Sequence, residues 1–411
     1  MTVYPLGVLR ALALETQRLT TPNGLEPHPT LDSVYETIDA LGGVQIDTLQ
    51  MVARAHYLTL WSRHGTYAPH ILDDLFARER KLFEDWYHAA CYIPMHEYRY
   101  QMPRQRKVRE NGHNWYANWI TEPGNREMVS AVIERIRAEG GLRVSDFENP
   151  GQRRGSWWDW KPAKVALEYA YAYGDLMISR REKFQRVYDL RERVLPAHVD
   201  TSEPTEAERN RFFVERGAKA IGVGLHRNPG DYTWMKITVS RPIVKELLKD
   251  GTLLEIQGET VNGVQPLVIH RDNLPLLEKA ASGEIHPQRT TFLNPWDNFW
   301  WAQDRDEVLW GFQHIIEAYV PQPKRIYGYY LMPILHKDRL IGRLDPKLDR
   351  KTHTLHIRAL HLEPNIELTD ELIADISVVL KDFMKFHHAK ELVIEKSNPE
   401  FFGQMLSKNM T

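Results

Sequence analysis

The chain has 411 residues, 42% hydrophobic and 26% charged, which suits a globular protein with room for roughly two to four domains. Its single cysteine, Cys91, excludes an internal disulfide framework and fits a reducing compartment; no apolar run is long enough to span a bilayer. The net charge of −2 argues against a generic nucleic-acid binder, yet residues 99–193 hold 19 Lys/Arg against 13 Asp/Glu. A phosphate-binding surface leaves such a footprint, and so does a solvated charged face. The N-terminus shows no apolar core with a cleavage site, so a cytoplasmic location is expected.

Leu31, Val34, Ile38 and Leu41 fall at helical spacing, and Gly42-Gly43 ends that helix. A second helical pattern runs from about Thr48 to Arg63 and stops at Gly65. Between them, Val44-Gln45-Ile46-Asp47 alternates apolar and polar. Met128, Val132 and Ile136 mark a further helix, Ser145-Asp146 caps a short turn, and Pro162 opens a helix that ends at Gly174. Leu176–Ser179 and Phe184–Leu190 then read as strands around the basic turn Arg180-Arg181-Glu182-Lys183. Helix, short helix, helix and a hairpin with a basic tip is the order of a winged helix. The order recurs more loosely: a helix with Ala207, Phe212 and Phe213, a helix opened by Ser240-Arg241-Pro242, and strands Leu253–Ile256 and Pro266–Ile269. Farther on, Tyr327–Leu335, Arg339–Leu344 and Thr354–Leu362 are strand-like, Thr369 caps a long amphipathic helix, and Leu392–Ile394 adds a last strand. The expected architecture is α+β, with tandem winged-helix domains and a C-terminal β-barrel-like domain. Its boundaries are 1–122 (carrying the Gln45-Ile46-Asp47 motif), 123–200, 201–288 and 289–411.

In an extended segment, side chains two apart share a face, so Gln45 and Asp47 project together while Val44 and Ile46 anchor the backbone. An amide beside a carboxylate can orient and deprotonate water, and the carboxylate can stabilise an oxocarbenium-like charge. On pattern alone a plainer role is the stronger reading: Asp47 directly precedes a helical pattern and is a good N-cap. Metal binding is not expected, because no His-x-x-x-His pair sits beside a general-base Glu. No nucleotide cofactor is expected either: Gly222-Val223-Gly224 lacks the third glycine of a dinucleotide fingerprint, and no Gly-Lys-Ser/Thr loop occurs. Cys91 lies in an apolar-aromatic run, as a buried structural thiol would. Two basic stretches suit phosphates. Arg99, Arg104, Arg106, Lys107 and Arg109 form one; Arg153, Arg154, Lys161 and Lys164 surround Trp157-Trp158-Asp159-Trp160 in the other.

Several longer strings resemble the YcaQ/AlkZ family of bacterial DNA glycosylases. They are Val44-Gln45-Ile46-Asp47-Thr48 followed by Val52-Ala53-Arg54-Ala55-His56-Tyr57-Leu58 and Ser62-Arg63; His88-Ala89-Ala90-Cys91; Ser156–Pro162; Phe184–Leu190; and Pro323-Lys324-Arg325-Ile326-Tyr327-Gly328-Tyr329. The resemblance spans nearly the whole chain and is weakest over residues 201–288. It implies tandem winged helices, a C-terminal β-barrel and a catalytic Gln, an apolar residue, then Gln or Asp. With Asp47 in third place, the chain looks like the YcaQ branch, which implies excision of N7-alkylated guanine and unhooking of interstrand crosslinks. Gln45 and Asp47 are then the expected catalytic pair of a monofunctional glycosylase without cofactor. Arg54, Arg63, Arg153, Arg154, Lys161, Lys164, Arg180, Arg181 and Lys183 are the expected DNA-binding residues. The expected partner is double-stranded DNA with alkylated or crosslinked guanine, met by a nucleoid-associated monomer. A winged-helix transcription regulator and a non-catalytic lesion-binding protein are the alternatives.

Overall fold

The computed structural model of the chain describes residues 2–24, 28–111, 118–147 and 162–410. It is a mixed α+β structure of two compact units. One gathers Met1–Pro69, Trp86–Cys91 and Asn210–Thr411; the other gathers His70–Asp85 and Tyr92–Arg209. No helix among the described residues is long and apolar enough to cross a membrane.

In the first unit, helix Leu6–Thr16 sends Leu9, Leu12 and Leu14 into a core shared with Val223, Leu267, Leu309 and Leu335. Each leucine buried in this way contributes about 1.5–3 kcal/mol. A four-stranded sheet flanks this core in the order Val3–Tyr4, Leu253–Thr260, Gly263–His270, Val223–Gly224. Helix Leu31–Leu41 opens with a reciprocal cap, Thr30 Oγ1 accepting from the Ser33 N–H while Ser33 Oγ accepts from the Thr30 N–H. Such a cap is worth about 1 kcal/mol. The helix ends at Gly42, whose φ of 80° suits a residue without Cβ.

The helix expected from Thr48 begins instead at Ala55 and runs to His64. Residues 48–54 do not wind because their polar groups bond elsewhere. The Leu49 N–H donates to Asp47 Oδ1, the Met51 carbonyl accepts from the Leu348 N–H, and the Val52 carbonyl accepts from the Arg350 guanidinium. A second difference concerns Pro242, which lies inside helix Ile237–Lys249 rather than at its start. Its missing N–H forfeits one bond to the Thr238 carbonyl, which is tolerable so near the helix N-terminus.

The C-terminal sheet runs in the order Thr290–Phe292, Met332–His336, Arg339–Asp349, Thr354–Leu362, Glu391–Ile394, with Ser397–Asn398 also on Thr354–Leu362. Register shifts at Ile334/Leu335 and Asp345/Pro346 mark bulges, which bend strands. Helix Asp370–Phe386, capped by Thr369 as expected, packs Phe383 on Phe292 and Trp61. The strand expected from Tyr327 starts only at Met332. The N–H groups of residues 326–330 are taken by two carboxylates, Glu317 and Asp345, and so are withdrawn from any ladder.

In the second unit the elements follow the expected order: helix Asn125–Glu139, the turn Val144–Phe147, helix Pro162–Tyr173 and the antiparallel hairpin Leu176–Glu182/Gln185–Leu190. Leu142–Arg143 adds a short third strand to that hairpin. Val132 and Ile136 of the first helix and Val165, Ala166 and Ala170 of the second are buried, as their spacing predicts.

Candidate active site

The Gln45-Ile46-Asp47 tripeptide is gripped from before, within and after. Upstream, Asn298 Nδ2 donates to the Gly43 carbonyl at 2.8 Å, while the Tyr232 hydroxyl donates to the Leu41 carbonyl at 2.7 Å. Within it, the Ile46 N–H donates to the Ala90 carbonyl at 2.8 Å. Downstream, Met51 and Val52 are held by Leu348 and Arg350 at 3.0 and 2.7 Å. Val44 and Ile46 are buried, as the alternation predicts, and Gln45 is itself only 9% exposed. Asp47 is half-buried.

Asp47 does not cap a helix. Its Oδ1 accepts the Leu49 N–H at 2.7 Å, in a turn that precedes the first helical residue, Ala55. Burial raises its pKa above the ordinary carboxylate value, and the N–H groups of Leu49 and Thr48 offset part of that rise. Two phenols feel its charge. Tyr330 and Tyr319 are both pushed up, by burial first and then by the negative charge of Asp47. Tyr330 is fully buried against Trp296, with ring centroids 5.5 Å apart, and its N–H is fixed on Asp345 Oδ1. Its hydroxyl makes no hydrogen bond to any described residue. Sequence pattern could not reveal Tyr330, which lies in a run that reads as strand, nor Asn298, whose role depends on a contact across the fold.

The expected phosphate contacts divide. Arg153, Arg154 and Lys161 lie outside the described residues, as do Trp157, Trp158 and Trp160. Arg63 is not a surface residue: it is 1% exposed, and its guanidinium is bonded to Asp297, the carbonyls of Gln17 and Thr59, and Ser62 Oγ. Arg181 is likewise committed, bidentate to the buried Glu84 at 2.8 and 2.7 Å, with a third bond to the Phe184 carbonyl. Both were expected on DNA; a guanidinium satisfied by an internal carboxylate is withdrawn from that role. Arg180 and Lys183 are exposed on the hairpin, Arg180 beside Glu182, and Lys164 is half-buried on helix Pro162–Tyr173. Arg54 is half-buried at the start of helix Ala55–His64.

The basic stretch at Arg99–Arg109 is also paired with acids, largely at the surface. Arg99 pairs with Asp200 at 2.7 Å, Arg104 with Asp85 at 2.9 Å, Arg106 with Glu203 at 3.0 Å and Lys107 with Glu206 at 2.8 Å. Most of these acids lie beyond residue 193, so the count over residues 99–193 missed the neutralising partners. Cys91 is buried, as its apolar surroundings predict.

A family model described as "DNA glycosylase AlkZ-like" matches residues 38–386, a span that encloses the tripeptide and both its brackets. Among solved structures, the chain is similar to the Streptomyces sahachiroi DNA glycosylase AlkZ, with a TM-score of 0.61 and 12% identity, over 96% of this chain and 100% of that one. At such low identity the structural likeness concerns the fold.

Proposed function

The chain belongs to the AlkZ-like DNA glycosylase family, and from that premise we propose that it excises N7-alkylated guanine from double-stranded DNA and unhooks interstrand crosslinks built on that position. The observation that carries this reading is Asp47: a half-buried carboxylate, held rigidly on both sides. N7 alkylation places a positive charge on the base, so the glycosidic C–N bond breaks without strong acid catalysis. The base leaves neutral with the bonding pair, and the sugar becomes an oxocarbenium ion. Asp47 stabilises that charge, then accepts a proton from the water whose oxygen bonds to the anomeric carbon. Gln45 orients water or substrate.

The helix–turn–helix–hairpin order in residues 125–190 supports a winged-helix reading, with a second such unit in residues 206–270. In this reading Lys164, Arg180 and Lys183, together with Arg54, Arg153, Arg154 and Lys161, hold phosphates, and DNA binding weakens steeply with salt. A duplex carrying N7-methylguanine, incubated with the protein and then treated with alkali, is cleaved at the lesion. Asp47→Asn lowers that cleavage by at least about two orders of magnitude, the scale of losing one charge-stabilising group. Undiminished cleavage by the variant removes Asp47 from the mechanism.

A further inference from the structure

Glu317 is a buried carboxylate, 3% exposed, with no cation beside it in any contact of the described residues; its oxygens are occupied by backbone. Oε1 accepts the Ile326 N–H at 2.6 Å, and Oε2 accepts those of Tyr327 and Gly328 at 2.8 and 3.0 Å. Residues 317–328 are thereby closed into a compact loop. The loop is tied again by Arg325, whose Nε donates to the Val320 carbonyl at 2.8 Å. Its base is set by Tyr327, under the Arg343 guanidinium at 4.4 Å and edge-on to His361, and by the Tyr329 N–H on Asp345. Three charge-assisted bonds from successive N–H groups to one carboxylate leave such a segment little freedom.

That rigid loop displays apolar groups to solvent. Tyr319 and Ile326 are each 73% exposed, although neither assists the core. Lys324 stands beside them, also exposed. The loop shares its mount with the candidate catalytic segment: on strand Arg339–Asp349, Asp345 accepts the Tyr329 N–H at the base of the loop, and Leu348 donates to the Met51 carbonyl four residues after Asp47. A stiff mount, an exposed ring and aliphatic tip, a neighbouring cation and a site that breaks a bond in DNA together specify an occupant. Aromatic faces stack on bases, apolar side chains enter opened base steps, and lysine meets phosphate.

We infer that the 317–328 loop is a wedge that enters duplex DNA at the base step beside the lesion, with the Tyr319 ring stacking on an unstacked base and Ile326 filling the opened step. The inference rests on the reading of Asp47 as the catalytic group. A rigid wedge favours sites where stacking is already weakened, so it reads damage as deformability rather than as sequence.

The test uses the whole protein and a duplex with 2-aminopurine next to N7-methylguanine. Wild-type binding raises 2-aminopurine fluorescence as its stack opens. Tyr319→Ala and Ile326→Ala abolish most of that rise and weaken binding to the lesion duplex by about ten-fold or more, while binding to undamaged duplex changes far less. Tyr319→Phe keeps the ring and behaves as wild type. Both side chains are on the surface, and unchanged thermal melts of the variants establish that folding is intact. A full fluorescence rise in both alanine variants overturns the wedge, as does equal loss of affinity for damaged and undamaged DNA. A Phe variant as weak as the Ala variant overturns the stacking role. Asp47→Asn separates this from the catalytic reading: it retains the fluorescence rise and loses base release, whereas wild-type base release by that variant sinks the catalytic assignment and leaves the fluorescence result to judge the loop.

Discussion

Asp47 is subject to two opposing influences, burial that raises its pKa and backbone N–H groups that lower it, and burial wins. The folded protein therefore holds this proton more tightly than the unfolded chain does. As pH rises from the ordinary value of 3.8 through the raised one, the fold loses stability, and at neutral pH the ionised group is a net cost. Asp47→Asn keeps the acceptor for the Leu49 N–H, so its melting temperature at pH 7 is expected above wild type, with the gap closing below the ordinary carboxylate range. On the proposed role of Asp47 activity moves the other way: that role needs the anion, so the acid limb of base release is expected above the range of an unperturbed aspartate. A limb at or below pH 3.8 refutes the assigned ionisation. Tyr330→Phe removes only a buried hydroxyl that has no hydrogen-bond partner among the described residues and leaves the ring on Trp296, so its melting temperature is expected at or above wild type; a clear drop contradicts the unpartnered hydroxyl. Gln45 and Asp47 could be put forward from the sequence because an amide and a carboxylate sit within three consecutive residues; their catalytic role remains the proposal made above. Asn298 could not be, because it holds the Gly43 carbonyl just before the tripeptide from a segment distant in the chain.

At the level of elements, the arginines show why residue type alone misleads. Helix Ala55–His64 docks by burying Arg63 against Asp297, an arrangement whose geometry is completed by two carbonyls and a hydroxyl. Removing one partner leaves an uncompensated charge, so Arg63→Ala is expected to cost about 3–5 kcal/mol in chemical denaturation. A loss under 1 kcal/mol is incompatible with this burial. On the hairpin, Arg181 and Arg186 both grip Glu84, and Arg186 also reaches Glu168, which in turn accepts from the Tyr188 hydroxyl. Lys183→Ala should therefore weaken DNA binding and flatten its log-salt slope by about one contact, whereas Arg181→Ala should chiefly lower the melting temperature. Helix and strand periodicity found these elements well where local spacing decides, as in Leu31–Leu41, Asn125–Glu139 and Asp370–Phe386. It failed at residues 48–54 and 327–331, where apolar spacing was intact but backbone groups had been claimed by Leu348, Arg350, Glu317 and Asp345.

Across the whole molecule, buried histidines are unevenly distributed. His64, His88 and His314 each have a pKa lowered to about 4, by burial first, and all three belong to the first unit. Folding keeps them neutral, while the unfolded chain takes up protons near 6.5. Their contribution to stability is complete above 6.5 and is lost as pH falls toward 4. Hydrogen exchange measured at pH 7 and pH 5 should show protection falling first in segments of the first unit, such as residues 55–64; earlier loss in residues 162–190 contradicts the assignment. The mixed α+β class could be read from the order of elements, but the division into units could not, because each unit gathers segments far apart in sequence. The clasp on the tripeptide has a consequence in time. Arg350 lies 298 residues beyond Val52, so a nascent chain carries Gln45 and Asp47 long before their brace exists. At roughly 5–20 residues per second, synthesis leaves an interval of roughly 15–60 s in which the site is unassembled. On the proposed assignment of Gln45 and Asp47, base excision then waits until most of the chain has been made.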